Sequence, residues 1–400
     1  MIKQAFITIL LILNTLSLFS QEVSMNLLKA IGEYKLNQYD SAIFYANKIN
    51  DAENISRAVQ IKADSYFKLK QYDKALSEYL KLTKKADSNA INIARIYAIK
   101  KDYNNAAKWL EKHLKSKYKI NPGIIKTDTA FRNFSNTKLW SNIWLKDWYT
   151  ALEEKIFETE YLRYKKKYVD ALETSDEVLS EKKDCHRIYA ERAKIYEKLD
   201  DRSNVVFSWK QANKYNPGNP GYIVEYGKAL LENGKFKKAL IQFEKARDID
   251  KYRPDIYYWL ALAYFRQNRF DDAKKQIEIY RNIIPHDGKA IWLAGNIYKD
   301  MGEYQKAVDV FNEGIRSGKI EKGYYAGRGE AQYELERYGE AASSFTMELD
   351  LTPRNGYLYF MRGLSHIARD NKVDACKDWK HASKLGYFQA DDYISKYCSR

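Results

Sequence analysis

The chain has 400 residues, of which 45% are hydrophobic and 30% charged, with only 6 Pro and 18 Gly. This composition excludes a disordered or collagen-like chain and favours an ordered, mostly helical protein. The formal net charge is +15, and residues 21–150 hold 23 Lys and Arg against 13 Asp and Glu, a surplus of ten. Most of the positive charge therefore lies in the first third of the chain.

The N-terminus, "MIKQAFITILLILNTLSLFSQ", has one Lys, an apolar stretch from Ala5 to Phe19, and then Ser20. A charged start, an apolar middle and a small residue at the end are typical of a secretory signal peptide. The apolar stretch is shorter than the roughly 20 residues that a membrane-spanning helix needs. We expect residues 1–20 to be cleaved and the protein to be exported to the periplasm or outer envelope, with no transmembrane span after cleavage. The alternative is an uncleaved membrane anchor.

The densest positive charge follows at residues 95–119. Such a run is consistent with a solvated helix face, and it is also consistent with attraction to an anionic surface. The candidate basic surface consists of Lys100, Lys101, Lys108, Lys112, Lys115, Lys117 and Lys119.

From residue 171 onward the chain repeats itself with a constant period. In the copies centred on Ala239, Ala273, Ala307 and Ala341, an aromatic residue stands three positions before the small residue and an apolar or aromatic residue stands four positions after it. Consecutive members of this series are separated by 34 residues: Ala171, Val205, Ala239, Ala273, Ala307, Ala341 and Ala375. A fixed period of this length is the signature of a repeat architecture.

Within one copy the apolar residues follow two helical stripes. Tyr257, Leu260, Ala261 and Tyr264 have the i, i+3, i+4, i+7 spacing of an amphipathic helix. A second stripe begins at Ala273, after the short polar turn "RQNRF". Each copy is therefore predicted to be a helical hairpin, which must stack on its neighbours to bury its apolar face.

The motif resembles that of the tetratricopeptide repeat (TPR) family. Position 8 of that repeat is small, and the matching residues here are Ala193, Gly227, Ala261, Gly295, Gly329 and Gly363, with Thr159 as the exception. Three earlier copies centre on Ala42, Ala75 and Ala106. The resemblance implies an all-α TPR solenoid of about ten helix-turn-helix repeats, wound as a right-handed superhelix.

One stretch interrupts the repeats. It contains Pro122-Gly123 and has no small residue in register, while Trp140, Trp144 and Trp148 recur every four residues and indicate some helix. The expected organisation is a signal peptide at 1–20, an N-terminal block of three repeats at 21–118, an irregular connecting segment at 119–151, a seven-repeat array at 152–387 and a capping helix at 388–400.

Two of the three cysteines bracket the end of the chain. An exported protein can form disulfides, and the last repeat of a solenoid needs a cap on its open face. We expect Cys398 to return beside Cys376 and join the capping helix to the last repeat, with Cys185 left as a small buried hydrophobe. The alternative is two free thiols that fill core space.

We find no pattern of residues that indicates catalysis. The five His do not pair at i, i+4, no HExxH occurs, and Cys and His are not at zinc spacing. "GYIVEYGKA" comes nearest to a phosphate loop, but it lies within a predicted helix and lacks the final Ser or Thr. The protein is therefore not expected to be an enzyme, and no catalytic residue, metal or cofactor is predicted.

In TPR arrays, positions 2, 5, 9 and 12 of the first helix line a concave groove. The resemblance implies a partner-binding groove with aromatic anchors and basic flanks, which are the features of a peptide-binding surface. The alternative is that the cap or the closing of the superhelix covers part of this stripe. The candidate residues are Lys228, Tyr258, Leu262, Phe265, Trp292, Asn296 and Lys299.

These observations favour a non-enzymatic scaffold or adaptor of the bacterial cell envelope, whose partners are other envelope proteins or peptides. The alternative is attachment to an anionic glycan or membrane surface through the basic N-terminal third. Nucleic acid would suit the charge, but a signal peptide argues against it.

Overall fold

A computed structural model describes residues 25–83, 87–318 and 322–398. The predicted signal peptide lies outside these residues. The described chain is helical, without a β-strand. The helices are α1 (25–35), α2 (Tyr39–Asn47), α3 (Ile55–Lys68), α4 (Tyr72–Thr83), α5 (Ala90–Ile99), α6 (Tyr103–Lys115), α7 (Pro122–Thr127), α8 (Lys138–Trp144), α9 (Ala151–Tyr164), α10 (Tyr168–Glu181), α11 (His186–Lys198), α12 (Arg202–Tyr215), α13 (Pro220–Glu232), α14 (Phe236–Ile249), α15 (Pro254–Phe265), α16 (Phe270–Ile283), α17 (Gly288–Asp300), α18 (Tyr304–Arg316), α19 (Tyr324–Glu334), α20 (Tyr338–Leu351), α21 (Gly356–Ile367), α22 (Lys372–Lys384) and α23 (Gln389–Tyr397).

Consecutive helices form hairpins, as the period predicts. Eight pairs pack as hairpins: α3–α4, α5–α6, α9–α10, α11–α12, α13–α14, α17–α18, α19–α20 and α21–α22. The second helix of a hairpin also packs against the first helix of the next, for example α18 against α19 and α20 against α21. The predicted all-α TPR fold is thus confirmed.

Small residues at position 8 face large ones on the second helix of the same hairpin. A Cβ on Gly295 would lie 2.5 Å from Phe311 Cζ, and one on Gly363 would lie 2.5 Å from Trp379 Nε1. Both aromatic side chains are fully buried. The absence of a side chain on the first helix therefore allows a large ring to fill the hairpin.

The turn inside each hairpin contains one residue in the left-handed region. In the seven-repeat array these residues recur every 34 positions: Lys166, Asp200, Gly234, Asn268, Gly302, Glu336 and Asp370. A single left-handed residue ends the first helix and reverses the chain.

The connecting segment forms a small core of its own. Short helix α7, two 3-10 turns (Thr129–Phe131 and Phe134–Asn136) and α8 surround buried Phe131, Phe134 and Trp140. The predicted helix is present but ends at Trp144, and Trp148 lies beyond it, where its indole N–H donates to the Ile143 carbonyl at 2.8 Å.

The chain divides by packing into two compact units, Met1–Pro254 and Asp255–Arg400. In the first unit the start of α3 meets the turn that follows α14. Arg57 Nη1 lies 2.6 Å from Asp250 Oδ1, and Asn54 Nδ2 donates to the Tyr252 hydroxyl at 3.0 Å. This contact joins repeats that are far apart in the sequence.

In the second unit the last hairpin is covered by α23. Tyr393 packs 5.1 Å from the ring centroids of both Phe360 and Trp379, and Ala390 is fully buried. Cys376 and Cys398 form a disulfide that closes a separation of 22 residues, and Cys185 is free and buried. The predicted cap and its disulfide are confirmed.

Candidate partner-binding groove

The candidate groove of the second unit would be formed by the first helices of successive repeats: α15, α17, α19 and α21. Residues 34 apart occupy equivalent positions on these helices, so position 5 is held by Tyr258, Trp292, Ala326 and Phe360. Tyr258 and Trp292 are half-buried and retain solvent-accessible surface. Two of the predicted aromatic anchors therefore stand at the same position on neighbouring repeats.

The start of the next repeat holds Trp292 in place. Gly323 has a φ of +93°, and a Cβ there would lie 3.0 Å from Trp292 Nε1. The buried Glu348 carboxylate accepts the Gly323 and Ala326 backbone N–H groups at 2.9 and 3.3 Å, which satisfies the N-terminus of α19. Trp292 therefore lies against backbone rather than against a mobile side chain.

Tyr258 lies at the end of an aromatic cluster. Its ring centroid is 5.0 Å from that of Trp259 and 5.6 Å from that of Tyr280. The Tyr280 hydroxyl donates to Asp287 Oδ2 at 2.6 Å. Burial and this carboxylate raise the pKa of Tyr280 well above its usual range, so the phenol remains a neutral donor.

A polar chain crosses three successive repeats of the groove. Lys299 Nζ lies 2.5 Å from Glu330 Oε2, and the Tyr357 hydroxyl donates to Glu330 Oε1 at 3.0 Å. Burial and the Glu330 carboxylate raise the pKa of Tyr357. These residues line a cavity of about 340 Å³ together with Asp300, Tyr304, Glu334 and Met361.

Glu330 was not among the residues predicted from the sequence. It lies 34 residues after Asn296 and 68 after Leu262, so the repeat register alone would have placed it in the groove. Since Glu330 carries the opposite charge to Lys299, the groove presents a paired, not a free, ammonium group. The structure therefore adds a carboxylate to the centre of a site that the sequence described as aromatic and basic.

Among the other predicted residues, Leu262 and Asn296 are nearly buried, whereas Phe265 is half-buried like Tyr258 and Trp292. Leu262 and Asn296 are each 9% exposed, and Phe265 is half-buried with its ring 5.9 Å from that of Phe270. The Asn296 side chain donates to the carbonyl of Trp292 at 2.8 Å, in its own helix. Leu262 and Asn296 therefore present little surface to a partner.

The seventh candidate, Lys228, lies in the first unit. Its ammonium group is 2.7 Å from Glu225 Oε1. It lines a separate cavity of about 490 Å³, whose wall also includes Glu197, Glu225 and Glu232.

The candidate basic surface is partly neutralised by the chain itself. Lys100 pairs with Asp73, Lys112 Nζ lies 3.0 Å from Asp87 Oδ1, Lys115 Nζ 3.9 Å from Glu111 Oε2, and Lys119 Nζ 2.9 Å from Glu153 Oε2. The ammonium groups without an ion pair to the described residues are those of Lys101, Lys108 and Lys117. They remain exposed.

Among the described residues, no group of three or more His, Cys, Asp or Glu is placed to hold a metal ion. No helix within the same residues is long and apolar enough to cross a membrane.

Comparison with known families matches two overlapping parts of the array. The model described as "Anaphase-promoting complex, cyclosome, subunit 3" matches residues 232–314, and the model described as "Tetratricopeptide repeat" matches residues 293–375. Both matches fall on helices from α13 to α22.

Similar proteins are distant and mostly longer. The DnaJ homolog subfamily C member 7 homolog of Dictyostelium discoideum is 25% identical over 54% of this chain and 36% of its own length. The TPR repeat-containing protein MJ1428 of Methanocaldococcus jannaschii is 23% identical over 82% of this chain and 58% of its own length. The chain thus spans between about a third and three fifths of these relatives.

Among solved structures, the APC/C hetero-tetramer Cut9-Hcn1 superposes with a TM-score of 0.51 at 12% identity, over 94% of this chain and 83% of that chain. At this level of identity the likeness concerns the fold alone.

Proposed function

Because this chain belongs to the tetratricopeptide repeat family, we propose that it is a non-enzymatic scaffold or adaptor of the bacterial cell envelope. It binds segments of partner proteins in the groove of the second unit. Tyr258 and Trp292 are the anchors, and the Lys299–Glu330–Tyr357 chain is the polar centre. The observation that carries this proposal is the alignment of accessible aromatic rings at position 5 of neighbouring repeats.

The polar chain supports recognition of a segment rather than of a flat surface. A partner carboxylate could approach Lys299, and a partner ammonium or guanidinium group could approach Glu330. Either contact would exchange one charge-assisted hydrogen bond for another. Aromatic anchors beside such a pair supply the apolar contacts from which most binding energy comes.

The envelope location rests on the N-terminal sequence and the disulfide. Residues 1–20 have the pattern of a signal peptide, and Cys376–Cys398 is the kind of bond that persists in oxidising compartments. Recovery of the mature chain in the periplasmic or outer-envelope fraction, with its N-terminus near Gln21, is the expected result. Full-length protein retained in the cytosol would contradict it.

The groove is tested by crosslinking in the envelope. Partners captured by the wild-type protein are identified by mass spectrometry, and capture is repeated with the Tyr258→Ala/Trp292→Ala variant. Each truncated anchor should cost about 2 kcal/mol of binding, so capture should be lost. Phe388→Ala, which removes a 73% exposed ring of the same unit outside the groove, is the matched control and should capture normally.

A second candidate is attachment to an anionic glycan or membrane surface through the basic N-terminal third. The exposed Lys101, Lys108 and Lys117, which form no ion pair with the described residues, favour it. Reversal of these three to Glu should then abolish attachment, and attachment by the wild type should weaken steeply with salt. If the aromatic double variant captures every partner and the Lys reversal captures none, the groove proposal is wrong.

A further inference from the structure

Two neighbouring second helices of the first unit expose apolar residues where the other repeats expose polar ones. Position 22, two residues after the members of the 34-residue series, is exposed in all seven repeats of the array. At this position Phe207 on α12 is 51% exposed, and Ile241 on α14 is 59% exposed. The other five repeats hold polar or charged residues there: Glu173, Lys275, Asp309, Ser343 and Lys377. The apolar pair is therefore a feature of these two repeats and not of the fold.

On α14 the exposed apolar residues alternate with lysines. Four exposed residues at intervals of four form a stripe along one side of the helix: Lys237, Ile241, Lys245 and Ile249. Lys238 is also exposed and lies three residues before Ile241, on the same side. The Ile241 side chain is therefore flanked by ammonium groups towards both ends of the helix.

The exposed side of α12 has one aromatic ring and two lysines. Lys210 follows Phe207 by three residues and Lys214 follows it by seven, which places all three on one side of the helix. Both lysines are exposed, and Lys214 Nζ lies 5.0 Å from the ring centroid of Tyr215. This helix contains no Asp or Glu. The pattern of α14, an apolar residue among lysines, is therefore present on its neighbour as well.

The face formed by these two helices, called the α12–α14 face below, is strongly basic. Residues 202–215 and 236–249 hold seven Lys and Arg against two acidic residues, a surplus of five. The acidic residues are Glu244 and Asp248, and Asp248 Oδ1 lies 3.6 Å from Arg247 Nη2. The lysines of the face form no ion pair with the described residues: Lys210, Lys214, Lys237, Lys238 and Lys245. Their charge is therefore available to a partner.

The second helix of the preceding repeat, α10, is acidic, but the chain pairs most of its carboxylates. Residues 168–181 hold five Asp and Glu and no Lys or Arg. Four of the five form ion pairs with cations of the described chain: Asp170, Asp176, Glu177 and Glu181. The fifth, Glu173, is a single carboxylate against the five ammonium groups of the α12–α14 face. The positive charge of that face therefore exceeds the negative charge of α10 that is left unpaired.

This face differs from the candidate basic surface of the N-terminal third. Four of the seven lysines of that surface pair with carboxylates of the chain, whereas the five lysines of the α12–α14 face do not. The α12–α14 face also places apolar side chains between its lysines. It therefore combines two properties, free positive charge and exposed apolar surface, on adjacent helices.

This combination suits the surface of a bilayer. A Lys side chain can lay its methylene groups along apolar surface while its ammonium group reaches the phosphates of lipid head groups. Phe and Ile gain free energy when they leave water for the boundary between head groups and acyl chains. Charge alone would serve any polyanion, but apolar residues among lysines at helical spacing are typical of helices that lie on an anionic membrane.

We propose that the α12–α14 face binds the surface of a membrane that contains anionic lipids. Phe207 and Ile241 enter the head-group region, and Lys210, Lys238 and Lys245 contact lipid phosphates. Such attachment is peripheral and requires no membrane-spanning segment. It is independent of the groove in the second unit, so attachment to a membrane and capture of a partner are separable.

The test is co-sedimentation of the full-length mature protein, without the predicted signal peptide, with two kinds of vesicle. One kind is made of phosphatidylcholine, and the other of equal parts of phosphatidylcholine and phosphatidylglycerol. The protein should bind the anionic vesicles, and binding should weaken steeply as salt is added. Equal binding to both kinds of vesicle would overturn the proposal.

Two variants separate the charge from the apolar contact. Each Lys near an anionic membrane strengthens binding about five-fold, so Lys238→Glu/Lys245→Glu should weaken it at least about 25-fold and reduce its salt dependence. Phe207→Ser/Ile241→Ser should weaken binding at least about ten-fold and leave the salt dependence unchanged. Because all four side chains are exposed, both variants should keep the circular dichroism spectrum of the wild type.

Matched controls make the same kinds of change outside this face. The lysine control, Lys275→Glu/Lys377→Glu, reverses two exposed lysines at position 22 of the second unit. The apolar control, Val373→Ser, removes a 79% exposed residue of that unit. Both controls should bind the anionic vesicles as the wild type does, and so should the groove variant Tyr258→Ala/Trp292→Ala.

Two outcomes at this face would contradict the proposal. One is that the lysine control loses as much binding as Lys238→Glu/Lys245→Glu, because net charge alone would then explain attachment. The other is wild-type affinity of Phe207→Ser/Ile241→Ser for the anionic vesicles. A face that binds through charge alone would serve a soluble polyanion rather than a bilayer.

A last variant distinguishes this face from the candidate basic surface. Lys101→Glu/Lys108→Glu/Lys117→Glu changes three lysines of that surface and should leave most of the vesicle binding in place. If it abolishes binding while Lys238→Glu/Lys245→Glu retains it, the membrane contact lies in the N-terminal third and the α12–α14 face is not the site.

Discussion

The fit between Gly295 and Phe311 can be tested by copying the equivalent pair of another repeat. A Cβ on Gly295 would lie 2.5, 2.6 and 2.8 Å from three atoms of the Phe311 ring. The ring cannot move away easily, because its Cζ is also 2.4 Å from the place of a Cβ on Gly327 in the next repeat. In the repeat before, the same two positions are held by Ala261 and Ile277, both fully buried.

Two effects of Gly295→Ala oppose each other. Ala stabilises a helix interior by about 1 kcal/mol relative to Gly, while overpacking a core costs about 1–3 kcal/mol. With the ring confined on both sides, the upper part of that range applies, and the net loss should be about 1–2 kcal/mol. Gly295→Ala/Phe311→Ile recreates the pair of the preceding repeat, and the two changes should couple favourably by about 2 kcal/mol.

The free energies are best measured by hydrogen exchange of α17 and α18 amides in the full-length protein, since repeat arrays need not unfold in one step. Gly218→Ala is the control, because a Cβ there meets no atom within 4 Å. If Gly295→Ala protects these amides better than the wild type, or if the double variant is additive, then the glycine is not required by the ring.

Two further predictions concern other parts of the chain. His113 is 1% exposed, its Nε2 accepts the Ile120 backbone N–H at 3.2 Å, and burial, with a smaller contribution from Arg95, lowers its pKa to about 4. Because the folded protein holds His113 neutral, the fold is most stable above the pKa of about 6.5 that His has in the unfolded chain, and it loses stability as the pH falls. The helices α5–α8 should therefore lose about 2 kcal/mol between pH 7 and pH 5. Hydrogen exchange should show this loss in the wild type but not in His113→Gln; an equal loss in both would contradict it. Cys398→Ala should remove about 3 kcal/mol of local stability and increase exchange in α22 and α23 while leaving α17 and α18 unchanged; uniform destabilisation of the second unit would refute this.

The hairpins could be predicted because their information is local and repeated. A small residue every 34 positions, with helical stripes on either side, defines both helices and their neighbours. The cap could be predicted for a related reason: a stack must end, and Ala390, Tyr393 and Tyr397 have the spacing of a helix face. In an exported chain, the Cys376–Cys398 bond would persist and keep that helix face packed on the last repeat.

Contacts between side chains of different repeats could not be predicted in the same way. Glu330 pairs with both Lys299 and Tyr357 because of the exact stagger of three helices, which the period does not specify. The contact of Arg57 with Asp250 depends on how small rotations accumulate over several repeats. The connecting segment is a further case, since Trp148 lies outside the helix that its spacing suggested and bonds back to Ile143 instead.

Two packing faces of the array have no neighbouring repeat, and the chain covers them to different extents. At the end of the second unit, the face of the last hairpin is covered by α23, which the disulfide ties to α22. At α9 the corresponding need arises because the connecting segment replaces a repeat, yet Tyr161 and Tyr164 remain exposed. At the position of Tyr161 later repeats hold buried residues, for example Ile195, Ala229 and Ser365. The chain itself therefore covers the face of the last hairpin, whereas at α9 the connecting segment covers only part of the packing face, where the Tyr149 ring lies 5.5 Å from that of Phe157.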